Sequence, residues 1–114
     1  MKLFNQRTHG YTDILGGLVL LAVPLLQGFP PLAVGLCHGL AGIIALLVLT
    51  TDHSLGLTRK IPFKIHGWIE VASTPGIAAL PWIFHFEAQV RDFFLIFAAV
   101  TVVFWFLTDY RSKN

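Results

Sequence analysis

The chain has 114 residues, of which 55% are hydrophobic and only 12% charged, with a formal net charge of +2. Soluble domains carry about 25% charged residues, and a chain this short must coat much of its surface with polar groups. Eight Lys/Arg and six Asp/Glu cannot do that, which excludes a soluble globule, a disordered chain and a disulfide-stapled module and points to lipid as the solvent.

A bilayer core about 30 Å thick takes about 20 mostly apolar residues per helix. Four segments meet this, in chain order residues 11–29, 32–51, 67–86 and, marginally, 93–108. The first follows Lys2 and Arg7 but is read as a span rather than a signal peptide. Asp13 interrupts its start, no small-x-small cleavage site follows, and the segment recurs later in the chain. Gln27-Gly28-Phe29-Pro30-Pro31 reads as a tight turn stopped by proline. Residues 52–65 form a longer basic loop, and 85–92 a short polar one. The expected fold is an all-α membrane protein of four transmembrane helices, forming one domain over 1–114.

Seven of the eight Lys and Arg fall on one side of this layout, namely Lys2, Arg7, Arg59, Lys60, Lys64, Arg111 and Lys113, with Arg91 alone opposite. The positive-inside rule then places both termini and the central loop in the cytoplasm, with the chain in a bacterial inner membrane. Tyr11, Trp68, Trp105 and Tyr110 belong to the inner interface and Trp82 to the outer. The basic residues flank apolar segments rather than forming a patch, so no nucleic-acid partner is expected. Membrane lipid is the expected partner. The central stretch from Leu57 to Ile65 alternates basic and apolar residues, which suits anionic headgroups or a docking protein.

Shifting the sequence by 57 residues aligns 2–53 with 59–110 without a gap. His9-Gly10 falls on His66-Gly67, Asp13 on Glu70, Pro24 on Pro81, Phe29 on Phe86, and Thr51-Asp52 on Thr108-Asp109. These polar landmarks in matching order indicate two copies of a two-helix hairpin. Each copy has an even number of spans, so the copies are parallel repeats and equivalent residues lie at equal depth. The segments Val23-Pro24-Leu25-Leu26-Gln27-Gly28-Phe29 and Leu80-Pro81-Trp82-Ile83-Phe84-His85-Phe86 resemble the SPW-repeat membrane proteins of bacteria, small proteins of two-helix repeats with Ser-Pro-Trp near the end of each first helix. Leu80 stands where the motif has Ser, and the first copy keeps only Pro24. The resemblance implies architecture more than chemistry.

His9 and Asp13, like His66 and Glu70, share a helix face at i and i+4. Two imidazoles and two carboxylates at one depth can hold a transition metal or relay protons. The plainer reading is helix-end structure, a carboxylate in the first turn favouring the dipole. His38 lies within the second span beside a Gly35, Gly39 and Gly42 stripe, where small residues let helices approach. It either bonds across that contact or, with His85, ligates a haem or pigment. Cys37 reads as a packed small hydrophobe. Pro24, Pro75 and Pro81 are expected kinks, with the carbonyl freed in the third span met by Ser73 or Thr74. Walker, GxGxxG, GxSxG, CxxC and HExxH patterns are missing, so no enzyme is expected. The sequence favours a protein acting by helix packing, as a homo-oligomer or an accessory subunit of a larger membrane complex, without a cofactor. The alternatives are a small-solute or proton transporter or channel, or a subunit binding haem, pigment or metal.

Overall fold

Polar first turns carry the helices beyond the apolar edges read from the sequence. In a computed structural model describing residues 3–52 and 55–110, α1 spans Gln6–Leu26, α2 Pro31–Thr50, α3 Phe63–Ile83 and α4 Ala88–Leu107. Asn5 caps α1 by accepting the Thr8 amide at 2.9 Å, and Pro31 opens α2 at a position where its missing N–H costs nothing. The expected loop over 85–92 is shorter than supposed, because residues 88–92 form the first turn of α4. Lys2, Arg111 and Lys113 of the charge count, and the repeat limits at Lys2 and His53, lie outside the described residues.

Three helices, α1, α2 and α4, are long and apolar enough to cross a membrane. α3 matches them in length at 21 residues but falls short in apolarity, since Lys64, His66, Glu70, Ser73 and Thr74 dilute its first half. Large apolar side chains point outward: Leu15 is 59% exposed, Leu46 63% and Ile96 64%. A water-soluble bundle buries such residues, so the outer surface is one that lipid would wet. The long dimension is 41 Å, close to the roughly 40–45 Å of a bilayer with its headgroups.

The helices pack as two hairpins, α1 with α2 and α3 with α4. Their common core holds Leu20, Phe29, Ala33, Cys37, Ala41, Val90 and Phe94. Cys37 is fully buried there as a free thiol. The seam of α2 is thus Ala33, Cys37 and Ala41, and Gly35, Gly39 and Gly42 lie on its exposed side, where a Cβ would meet nothing within 4 Å. Within one chain, the glycine stripe does not pack helices as the sequence suggested. A helix offers small residues on two faces here, and alanine and cysteine took the inner one.

At one end, the segments flanking the helices lock together. Thr51–Asp52 (β1) pairs in parallel with Ile61–Pro62 (β2), and Phe4 forms an isolated parallel bridge with Thr108. The last carbonyls of α2 and α4, which have no partner within their helices, are met this way. Phe4 N–H donates to Leu107 O at 2.9 Å, Lys60 N–H to Thr50 O at 2.8 Å and Leu57 N–H to Leu49 O at 2.7 Å. This end carries Arg7, Arg59, Lys60 and Lys64, while Arg91 starts α4 at the other. There the two turns meet, Gln89 Nε2 donating to Gln27 Oε1 at 2.9 Å.

The two hairpin turns repeat the same device. Phe29 N–H reaches Pro24 O at 2.9 Å, and Phe86 N–H reaches Pro81 O at 2.8 Å. The intervening residue is left-handed in both, Gly28 at φ 66° and His85 at φ 55°. Glycine takes that conformation freely, whereas a residue with a Cβ is strained by about 1–2 kcal/mol. His85→Gly is therefore expected to raise stability by about 1 kcal/mol, read as a higher midpoint in thermal unfolding in detergent. A lowered midpoint would show that the His85 side chain makes a contact worth more than the strain.

Pro24 and Pro81 are buried inside α1 and α3, and Pro75 lies exposed inside α3. Ser73 and Thr74 hydroxyls both donate to Glu70 O at 2.9 Å, one residue before the Val71 carbonyl that Pro75 deprives of its amide.

Candidate metal centre

His9 sits in the first turns of α1, and His66 in those of α3. Both are buried, at 1% and 0% exposure. Asp13 and Glu70 are the eighth residues of their helices, well past the first turn, so a helix-dipole role does not account for them. The sequence pairs each histidine with the carboxylate on its own helix. The structure joins all four. His9 Nε2 lies 3.0 Å from Glu70 Oε2 and 3.4 Å from Asp13 Oδ1. His66 Nε2 lies 2.9 Å from Asp13 Oδ2 and 2.7 Å from Glu70 Oε1.

The outer nitrogens explain why the inner ones converge. Thr108 Oγ1 donates its single hydrogen to Phe104 O at 2.7 Å, and Thr51 Oγ1 likewise donates to Leu47 O. Each hydroxyl can then only accept from its histidine. His9 Nδ1–H donates to Thr108 Oγ1 at 2.7 Å, and His66 Nδ1–H to Thr51 Oγ1 at 2.6 Å. Both Nε2 atoms are thereby turned toward the carboxylates. Each bond crosses between hairpins, since His9 and Thr51 belong to the first and His66 and Thr108 to the second. Both threonines are fully buried. In the sequence Thr51 and Thr108 stand only as matching landmarks of the two halves, with no visible role.

Aromatic rings close the centre. Phe63 packs against His9 at 5.6 Å and Tyr110 at 4.8 Å between ring centroids, and Tyr110 lies 5.5 Å from His9. Gly10 and Gly67, each directly after a histidine, are buried because neighbours lie on them. A Cβ on Gly10 would fall 2.6 Å from Leu55 Cδ1, and one on Gly67 would enter the Tyr110 ring. Beyond the helices, burial pushes the Tyr110 hydroxyl well above the ordinary phenol range.

Charge counting limits what this set can be. Ionised carboxylates only accept, and with Nδ1–H committed a neutral imidazole also presents a lone pair at Nε2. Lone pairs facing one another at 2.7–3.0 Å repel, so positive charge must lie between them. Two protons shared along these contacts supply it, and so does one dication. One donor atom from each of His9, Asp13, His66 and Glu70 fits within a span of 4.8 Å. Tetrahedral zinc with bonds of about 2.0–2.1 Å needs donor–donor edges of about 3.3–3.4 Å, so donors lying toward the 4.8 Å limit would have to draw inward around an ion.

The other candidates are placed differently. His38 Nε2 donates to the Leu21 carbonyl on α1 at 3.0 Å, the interhelical bond that the sequence offered as one alternative. His85 is exposed in the α3–α4 turn. No hydrogen bond or ring contact joins His38 to His85 among the described residues. Compared with known proteins, the chain matches no family model, no curated sequence and no solved structure.

Proposed function

We propose that this chain is a small, non-enzymatic membrane subunit whose working part is a divalent transition-metal centre held by His9, Asp13, His66 and Glu70. The observation that carries this reading is the fixing of both Nδ1 hydrogens by Thr108 and Thr51, which aims two Nε2 lone pairs and two carboxylates at one buried point. Metal-bound histidines regularly carry such a partner on their other nitrogen. Two imidazoles and two carboxylates suit zinc or ferrous iron better than magnesium or calcium, which prefer oxygen alone.

The architecture belongs to the same proposal: four spans as two parallel hairpin repeats, with both termini and the central loop on the cytoplasmic side of a bacterial inner membrane. Supporting it are the 57-residue correspondences, now in contacts as well as letters. Phe4↔Thr108 matches Ile61↔Thr51, His9–Thr108 matches His66–Thr51, and Gly28 matches His85. The likeness to SPW-repeat proteins rests on that layout and on Pro24 and Pro81. Arg7, Arg59, Lys60 and Lys64 at the interlocked end support the orientation.

The test is the metal content of protein purified from membranes in mild detergent, then chelated and reloaded with zinc or cobalt. About one ion per chain is expected, with cobalt showing the absorption of a tetrahedral site, and both are expected to be lost in His9→Ala and in His66→Ala. A folded wild-type protein that takes up no stoichiometric metal overturns the reading.

The outward glycine stripe favours a second reading in which the chain works by packing, as a homo-oligomer or an accessory subunit. Gly35, Gly39 and Gly42 have open space before them, and small residues are what a neighbouring lipid-embedded helix needs.

A further inference from the structure

The two hairpins do not close on each other along their whole length. Between them runs a slot of about 420 Å³ that begins at the metal centre, where His9, Asp13 and Glu70 line its end. Its volume lies within the roughly 300–1,000 Å³ typical of small-ligand sites. Its walls are unequal. α2 supplies aliphatic residues such as Ile43, whereas α4 supplies Phe93, Phe97 and Phe104. The mouth is apolar and opens on the outer surface, for Ile43 and Ile96 line the slot and are more than half exposed.

We propose that this slot binds a lipid-borne molecule with a hydroxyl-bearing aromatic ring on an apolar tail, the chemical class of quinols, with the hydroxyl on the carboxylates of Asp13 and Glu70. Three observations select that chemistry. First, the closed end is acceptor-rich. Asp13 and Glu70 are 11% and 12% exposed and both line the slot, and each oxygen that touches an imidazole keeps a further lone pair. Second, the centre is electrically balanced once two protons or one dication compensate the two carboxylates. A neutral donor completes it, whereas an ammonium head would add uncompensated charge and a phosphate head would be repelled. Third, the phenylalanines of α4 line the slot, and aromatic rings pair favourably with a planar aromatic guest beyond simple area burial. Gly16 faces this wall, its hypothetical Cβ 3.6 Å from Phe97, so the absence of a side chain there keeps the slot open. The tail leaves by the apolar mouth, so entry from the membrane interior requires no passage through water.

This inference stands apart from the metal reading, since the carboxylates accept a hydroxyl whether protons or a metal balance them. The experiment uses the full chain in phosphatidylcholine nanodiscs, titrated with a decyl-tailed hydroquinone and followed by calorimetry, before and after chelation. Empty nanodiscs supply the baseline for partition into lipid. Saturable binding at about one probe per chain is expected. The dimethyl ether of the same probe, which has the same tail and ring without the donors, is expected to bind at least about tenfold more weakly. Gly16→Phe, which fills the slot one helical turn beyond Asp13, is expected to abolish binding while leaving metal content intact. Asp13→Asn is expected to weaken it. No saturable uptake above empty nanodiscs, equal affinity for the ether, or undiminished binding by folded Gly16→Phe each overturns the proposal. Equal binding of the ether would identify the slot as a site for an acyl chain or detergent. A folded protein that takes up no stoichiometric metal on reloading, yet binds hydroquinone, would sink the metal reading and leave this one standing.

Discussion

Glu70→Leu is expected to destabilise the protein by about 3–5 kcal/mol, the cost of removing one partner from a buried ionic set. Glu70 touches both imidazoles, His66 Nε2 at 2.7 Å and His9 Nε2 at 3.0 Å, and both histidines are buried. Taking it away leaves either surplus positive charge or two inward lone pairs beside the Asp13 carboxylate. Asp13→Leu should cost about the same, because it occupies the equivalent place and contacts the same two nitrogens. Replacing His9, Asp13, His66 and Glu70 together by leucine should cost much less, within about 2 kcal/mol of the parent. That variant leaves no buried charge, and Thr51 and Thr108 keep their hydrogens on Leu47 O and Phe104 O. Reversible unfolding in mixed micelles gives the comparison. A single variant that unfolds like the parent would show that the four side chains do not act as one set.

That contrast turns on something only partly legible in the residues. The i and i+4 spacing of His9 with Asp13 and of His66 with Glu70 put each pair on one helix face, and the 57-residue shift put the pairs at equal depth. Their union across the hairpins was not legible, because contacts between helices depend on rotation about each axis, which spacing along one helix does not specify. The roles of Thr51 and Thr108 were hidden for a related reason. At the edge of an apolar run, a threonine reads as the place where a helix leaves lipid. Only the parallel pairing of Thr51 with Ile61 and of Phe4 with Thr108 brings those hydroxyls under the imidazoles.

Hydropathy located the helices but misplaced their starts. Residues 6–10 and 63–66 are polar or mixed, so a window tuned to lipid passes over them, yet their carbonyls open the α1 and α3 ladders. Residues 88–92 looked like a loop because Gln89, Arg91 and Asp92 are polar, although glutamine and arginine are good helix formers. The face of α2 was ambiguous for another reason. Ala33, Cys37 and Ala41 repeat every four residues just as Gly35 and Gly39 do, and both series are small enough for close approach. What decides between them is the shape of the opposing surface, including Leu20 and Phe94, and that is set by other parts of the chain.

Thr108→Val and Thr51→Val are each expected to lower metal affinity by about 10–100-fold, the usual effect of losing the partner that orients a ligating histidine. Valine keeps the shape of threonine and removes the acceptor for Nδ1–H, together with the hydrogen given to Phe104 O or Leu47 O. The imidazole can then carry its hydrogen on Nε2, where it points at the metal position and blocks it. The buried Nδ1–H left without a partner adds a folding cost of about 1–3 kcal/mol. Serine in place of threonine retains the hydroxyl and should restore most of the affinity. Competition with a chromophoric chelator on chelated and reloaded protein measures all four single variants. Because the two threonines occupy equivalent places, the two valine variants should weaken binding by similar factors. An unchanged affinity in either would mean that the tautomer is held by something other than these hydroxyls. A large loss in one and none in the other would mean that the two halves of the centre, though alike in contacts, do not share the ion equally.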